Sequence, residues 1–257
     1  MSDRICGVIP ARLASSRLPR KMLLSETGKP LLQHVWERVR EARVFDELLI
    51  ATDSEEIAAV CRKFGASVEM TGEHPSGTDR VAEVIRRRAG EFGIVVNVQG
   101  DEPEIDHGHL VKVVEALRNV PAAQMSTLSA PLNAWSSISA PSCVKVVTNA
   151  AGRALYFSRS VIPHPRDGHE ELLARGDSPW RLHVGIYGFR TDFLLEVSSL
   201  PPSPLEKIEK LEQLRALEHG AHIQVASVDH PSVGIDTPED YARFVARFQA
   251  SPLSGTR

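Results

Sequence analysis

The chain has 257 residues, 42% hydrophobic and 25% charged, with a formal net charge of -3. That is enough apolar sequence for one large α/β domain, and it argues against a nucleic-acid binder, which carries a basic excess on one face. Cys6, Cys61 and Cys143 lie far apart without CxxC spacing, and no apolar run approaches the ~18 residues of a membrane span, so we expect no disulfide framework, no zinc site and no membrane insertion, in a soluble, unexported protein of the reducing cytoplasm.

Ile5 to Ile9 reads as a short buried strand and the amphipathic segment Leu31 to Val39 as the helix after it. The loop between them stands at a strand's carboxyl end, where open α/β sheets bind ligands. It carries Arg12, Ser15, Ser16, Arg17, Arg20 and Lys21 with almost no glycine. Guanidinium forks and hydroxyl donors in such a place fit a polyanion such as a triphosphate; the alternative is a solvated basic loop.

ELLIAT (Glu47 to Thr52) is the next strand, followed by a helix with Ser54 as its N-cap and Gly65 as its stop, then a short strand near Val68. HPSGTDR (His74 to Arg80) opens a helix whose Val81, Val84 and Ile85 recur at helical spacing. Ser76, Gly77, Thr78, Asp79 and Arg80 thus read first as a helix N-terminus and second as a ligand contact. IVVNVQ (Ile94 to Gln99) is apolar enough for a strand covered on both faces, and it runs into Gly100, Asp101, Glu102 and Pro103. Carboxylates at that edge suit a hard cation such as magnesium; the other reading is an acidic cap for the helix His109 to Arg118.

From Ala123 short strand candidates replace the alternation with helices: MSTLSA, CVKVVTN and RALYFS, the last two joined by a hairpin turn at NAAGR. Ser160 to Trp180, with three prolines, is expected to be a loop. LHVGIYGFR alternates as a strand, putting His183 and Tyr187 on one face and Leu182, Val184 and Ile186 on the other. PLEKIEKLEQLRALEHG reads as one helix burying Leu205, Ile208, Leu211 and Leu214, with Glu206, Glu209 and Glu212 on a solvated face and Glu206 paired with Lys210. After the strand HIQVASV, Thr237 and Pro238 open a last helix, and Asp236 just before it is either a cap or a second acid for a cation site with Asp101. A frayed tail is expected over 250–257.

Taken together, IPARLASSRLPRK, HPSGTDRVAEV, VNVQGDEP, VKVV, ALYFSR, HVGIYGFR, SPLEKIEKLEQLR and GIDTPED resemble, in this order and over nearly the whole chain, the 3-deoxy-manno-octulosonate cytidylyltransferases. The resemblance implies one cytidylyltransferase domain over 1–257 with a Rossmann-like nucleotidyltransferase fold. Its central sheet would be mixed, mostly parallel and flanked by helices, with a small β-rich insert at about 130–190 for dimerisation and sugar binding. It implies a homodimer that couples CTP to 3-deoxy-D-manno-octulosonate (Kdo) with magnesium, giving CMP-Kdo and pyrophosphate for lipopolysaccharide synthesis. By matching position, Arg12, Ser15, Arg17, Lys21 and Ser76 to Arg80 would bind CTP, and Lys21, Arg17 and Asp101 would serve catalysis. Asp101 and Asp236 would bind the metal, and Gln99, Arg159, Arg166, His183, Tyr187, Glu212 and Gln213 the sugar acid.

Three departures stand out. Arg20 replaces the family's glycine before Lys21, Ala140-Pro141-Ser142 replaces an NPN before VKVV, and His164-Pro165 replaces the WD before Arg166. The rival readings are a cytidylyltransferase for another acidic sugar of the sialic-acid type and a non-catalytic nucleotide- or sugar-binding descendant. LEQLR and HVGIYGFR argue against the first, and the presence of Arg17, Lys21, Asp101 and Asp236 against the second. A nicotinamide oxidoreductase is disfavoured because the first loop lacks a glycine fingerprint.

Overall fold

A computed structural model describes residues 2–15, 17–176 and 178–250. Its strands are β1 (Ile5–Ala11), β2 (Glu47–Thr52), β3 (Ser67–Met70), β4 (Ile94–Asn97), β5 (Met125–Pro131), β6 (Lys145–Thr148), β7 (Ala154–Ser158), β8 (Arg181–Arg190) and β9 (Ile223–Ser227). The helices are α1 (Leu31–Glu41), α2 (Glu55–Lys63), α3 (Gly77–Arg87), α4 (His107–Asn119), α5 (Trp135–Ile138), α6 (Glu170–Ala174), α7 (Thr191–Val197), α8 (Pro204–Glu209), α9 (Gln213–Glu218) and α10 (Pro238–Ala250). Mixed, mostly parallel strands flanked by helices are the class expected from the sequence. Among the described residues, no helix is long and apolar enough to cross a membrane.

The chain forms two compact units. The first holds Ile5–Arg88, Asn97–His107 and the segment from Ser232. In it β3, β2 and β1 pair in parallel, with Ile9 opposite Ile50 and Ile50 opposite Val68. Local chemistry sets the helices as expected: Ser54 Oγ accepts from the Ile57 amide, and Gly65 takes φ +84° at the stop of α2. For α3 the cap is Ser76, whose Oγ accepts from the Asp79 amide, while Val81, Val84 and Ile85 are buried. Leu18 leaves the loop after β1 to pack with Leu31, Ile235, Tyr241 and Phe244, so apolar burial pins that loop near its middle.

The second unit holds residues 2–4, Ala89–Val96 and Gly108–Pro231. Here β5 pairs antiparallel with β8 and parallel with β9, and β6 pairs antiparallel with β7 and β8. The NAAGR turn closes as expected: Asn149 Oδ1 accepts from the amides of Ala151 and Arg153, with Gly152 at φ +78°. Residues 130–190 of the expected insert lie in this unit.

Three expectations need correction here. The single helix over PLEKIEKLEQLRALEHG is two, α8 and α9, separated at Lys210, whose φ of 54° is left-handed. The break restarts the helical phase, so Ile208 no longer shares a face with Leu211: it is 78% exposed, while Leu211 and Leu214 are buried. Second, Glu206 is buried rather than solvated. It forms a capping box with Ser203 and accepts from Arg215 Nε and Nη2 at 2.8 and 2.6 Å instead of pairing with Lys210. Third, Ser160–Trp180 is more than a loop. It contains α6, and Val161, Leu172 and Leu173 pack against Leu132, Ile138 and the buried Trp180, whose Nε1 donates to the Pro163 carbonyl at 3.0 Å. Helices α5 and α7 were not expected.

Candidate active site

In the first unit, the arginine loop converges on Asp101, which follows β4, and on Asp236, which precedes α10. Lys21 begins a 3-10 turn, Lys21–Leu23, and is 6% exposed. Its Nζ donates to Asp101 Oδ2 at 2.6 Å and to Asp236 Oδ1 at 3.2 Å, while Arg17 pairs with Asp236 Oδ2 at 3.0 Å. Backbone bonds set this convergence: the Val98 amide donates to the Val8 carbonyl, and the Ile235 amide donates to the Asp101 carbonyl at 2.9 Å, placing residues 101 and 236 side by side. Gly100 is needed for the close approach, since a Cβ there would meet the Pro10 carbonyl oxygen at 3.1 Å and Met22 Cε at 3.2 Å.

Asp236 is not the cap of α10. Thr237 takes that part, its Oγ1 accepting from the Asp240 amide while Asp240 Oδ2 accepts from the amides of Asp236 and Thr237. The Asp236 carboxylate is thereby left to the two cations. Two carboxylates converging on one ammonium are oxygen donors of the kind a hard cation takes when other oxygens complete its shell. Among the described residues, no group of three or more His, Cys, Asp or Glu side chains could hold a metal by itself.

Arg12 is exposed and Ser15 half-buried on the same loop, and Ser16 lies outside the described residues, as does the expected tail beyond Ala250. Arg20 is left-handed at φ 56°, a torsion that glycine would favour, and its guanidinium pairs with Glu56 on α2. The loop path is therefore the glycine one, with the side chain turned aside. Ser76 and Asp79 bond each other at the start of α3. Arg80 is 3% exposed and bound to Asp53 Oδ2 at 2.6 Å and to the Gly72 carbonyl at 3.3 Å, which makes it a support under this segment. Gln99, expected with the sugar group, belongs to this unit and is half-buried. Glu102 beside Asp101 is buried, and desolvation, with the Asp101 charge adding, raises its pKa to about 7.

In the second unit His183, Tyr187 and Gln213 come together. The His183 and Tyr187 rings lie 5.5 Å apart, closer than the ~13 Å that four residues of regular strand span, and the register of β8 against β5 shifts between Val184 and Gly188. Tyr187 Oη donates to Gln213 Oε1 at 3.1 Å, and His183 Nε2 stands 3.0 Å from Thr127 Oγ1. Burial pushes the His183 pKa down to about 3, so the ring is neutral; it raises that of Tyr187, with the Glu212 charge adding. Glu212 occupies the position before α9. Arg166 is exposed on the loop before α6.

Arg159 spends its guanidinium on main chain: Nε donates to the Glu209 carbonyl at 2.7 Å, Nη1 to Pro141 at 3.0 Å and Nη2 to Lys210 at 3.5 Å. Sequence reasoning passed over Thr127, Asp53, Lys145 and Glu209. A lysine inside the apolar alternation of VKVV was the available signal for Lys145.

Comparison with known proteins agrees over nearly the whole chain. The family described as cytidylyltransferase matches residues 6–223. A 3-deoxy-manno-octulosonate cytidylyltransferase of Geobacter sulfurreducens is 45% identical over 250 residues, 95% of this chain and 99% of the relative. Its namesake in Syntrophotalea carbinolica is 48% identical over 248 residues, 95% of this chain and 98% of the relative. A solved structure described as CMP:2-keto-3-deoxy-manno-octonic acid synthetase complexed with CTP superposes with a TM-score of 0.89 at 38% identity, covering 97% of this chain and 100% of the other.

Proposed function

The chain belongs to the 3-deoxy-manno-octulosonate cytidylyltransferase family, and from that membership we propose that it couples CTP and Kdo to give CMP-Kdo and pyrophosphate, activating the sugar acid for lipopolysaccharide assembly. The observation that carries the reading is the convergence of Lys21 and Arg17 on Asp101 and Asp236 at the end of a strand-loop-helix unit.

The anomeric hydroxyl of Kdo attacks the α-phosphorus of CTP and releases its proton to water, the bond to the bridging oxygen breaks, and pyrophosphate leaves with its negative charge. Lys21, Arg17 and Arg12 meet that charge, Lys21 from an almost buried position where its field is little screened. Ser15 and the α3 N-terminus from Ser76 to Asp79 supply further donors to the nucleotide, and Arg80 holds that segment in place. Asp101 and Asp236 would hold magnesium, which when bound neutralises charge on the phosphates and lowers the barrier to displacement. His183, Tyr187, Glu212 and Gln213 offer neutral and charged partners to sugar hydroxyls, with Gln99, Arg159 and Arg166 as further sugar candidates. The β-rich segment at about 130–190 is the proposed insert for sugar binding and pairing with a second copy. A cytoplasmic location fits three unpaired cysteines.

The test is magnesium-dependent pyrophosphate release from CTP, run with Kdo and with N-acetylneuraminate. Release with Kdo alone is expected. Release only with the other acid, or silence with both, overturns the assignment.

A further inference from the structure

Lys145 lies on β6 with 0% exposure, and its Nζ donates to three main-chain carbonyls: Ala140 at 3.1 Å, Cys143 at 2.6 Å and Arg159 at 2.6 Å. A neutral amine has only two N–H groups, so three acceptors at these distances require the ammonium form. Burial lowers its pKa, and Glu209 is among the groups acting the other way. A buried ammonium without a distant role would be an expensive choice where methionine fills the same volume.

What the charge organises is residue 159 and, through it, the break between α8 and α9. Arg159 is held on every side. Its carbonyl accepts from Lys145, its amide donates to Glu209 Oε2 at 3.0 Å, and its guanidinium caps the carbonyls of Glu209, the last residue of α8, and of Lys210 just after it. Glu209 Oε1 accepts from Ser158 Oγ at 2.6 Å, so the acid is fixed from β7 as well. Three segments are therefore locked together: the 140–143 turn, the end of β7 and the left-handed Lys210. The chain leaves that lock directly into Glu212 and Gln213, and Gln213 is the partner of Tyr187.

We propose that Lys145, acting with Glu209 through the main chain of Arg159, is a positioning residue that sets the start of α9 and so aims Glu212 and Gln213 at the sugar acid. The proposal rests on the acceptor being held by the His183, Tyr187 and Gln213 set. It assigns Lys145 no contact with either substrate.

The test compares Lys145→Met, with Glu209→Gln as the milder variant that keeps the side-chain volume, against the unmodified protein. Two readouts are used. In the absence of substrates, amide hydrogen exchange over residues 209–218 is expected to speed up, with residues 5–52 unchanged. In turnover, the KM for Kdo is expected to rise about tenfold or more with the KM for CTP unchanged, because small misplacements of positioning groups cost that much. A loss of kcat with both KM values unchanged, or unaltered exchange over 209–218 in both variants, overturns the proposal. If the unmodified protein does not turn over Kdo, the functional reading fails, and the exchange readout still judges the clamp.

Discussion

Around Lys21 the polar groups are ions that neutralise one another, whereas around Tyr187 uncharged donors and acceptors hold one another, with Glu212 as the one charge acting on that ring. Arg17 and Asp236, 64% and 48% exposed at the side chain, gain little stability from pairing in water. Their pairing keeps charge concentrated where a triphosphate and its cation would exchange partners with it. The histidine near Tyr187 is kept neutral by burial, its pKa about 3, which suits hydroxyls that need hydrogen bonds and bring no charge. The difference teaches that the first set is built for electrostatics and the second for shape and direction.

The strongest way to break this comparison is Asp101→Asn, which keeps size and hydrogen bonding but removes one of the two charges on Lys21. We expect turnover to fall about 10²–10³-fold, the scale of losing one preorganised electrostatic group, with the melting temperature nearly unchanged. Pyrophosphate release against thermal melting checks it; near-normal turnover would remove the ionic reading of this set.

Glu206→Gln probes an ion pair on the opposite footing, buried and bound to Arg215. Removing the charge leaves Arg215 short of a partner, and we expect a loss of about 2 kcal/mol in denaturant unfolding at neutral pH. Burial by itself would raise the Glu206 pKa, but hydrogen bonds from Arg215 and Ser203 outweigh it, and the net shift is down from 4.5. A depressed folded pKa gives stability that is present above the unfolded value and lost as pH falls through the folded one. The gap between parent and variant should therefore close below about pH 4.5. A gap independent of pH would mean that the charge was not what mattered.

Tyr187→Phe tests the neutral set. It deletes the hydroxyl that donates to Gln213 and nothing else, so the KM for Kdo should rise about fivefold, the worth of one hydrogen bond, with the KM for CTP unchanged. A matching rise for both substrates would dissolve the separation of roles.

Most of the fold could be read from the chain because its cues are local. ELLIAT, the Ser54 cap, the Asn149 turn and the apolar spacing of α3 depend on near neighbours alone. The misreadings are long-range. Nothing in PLEKIEKLEQLRALEHG announces that Arg159, about fifty residues away, will cap a helix at Glu209, so one helix was expected where two exist. Glu206 looked solvated because its partner at Arg215 lies nine residues on, beyond the reach of an i,i+4 count. In the site, residue types carrying charge were legible, and Lys21, Asp101 and Asp236 do meet. Supports such as Lys145 and Thr127 were not, since their partners are carbonyls and a ring nitrogen brought near by the fold, and Asp53 was not, since its partner Arg80 lies 27 residues on.

The smallest effect is expected at Arg20, and it bears on how tightly the ionic set depends on its loop. A non-glycine residue at φ 56° carries strain of about 1 kcal/mol, which glycine would relieve. Against that, Arg20→Gly loses the pair with Glu56, whose members are 56% and 44% exposed and which is worth about 0.2–1 kcal/mol. It also frees the unfolded chain by a few tenths to about 1 kcal/mol. These contributions nearly cancel, so stability should change by less than about 0.5 kcal/mol. Because the backbone already follows the glycine path, the phosphate-facing loop keeps its course, and the KM for CTP should stay within about twofold. A tenfold change in that KM would show that the Arg20 to Glu56 tie, and not the burial of Leu18, is what holds Arg17 and Lys21 in register with Asp101 and Asp236.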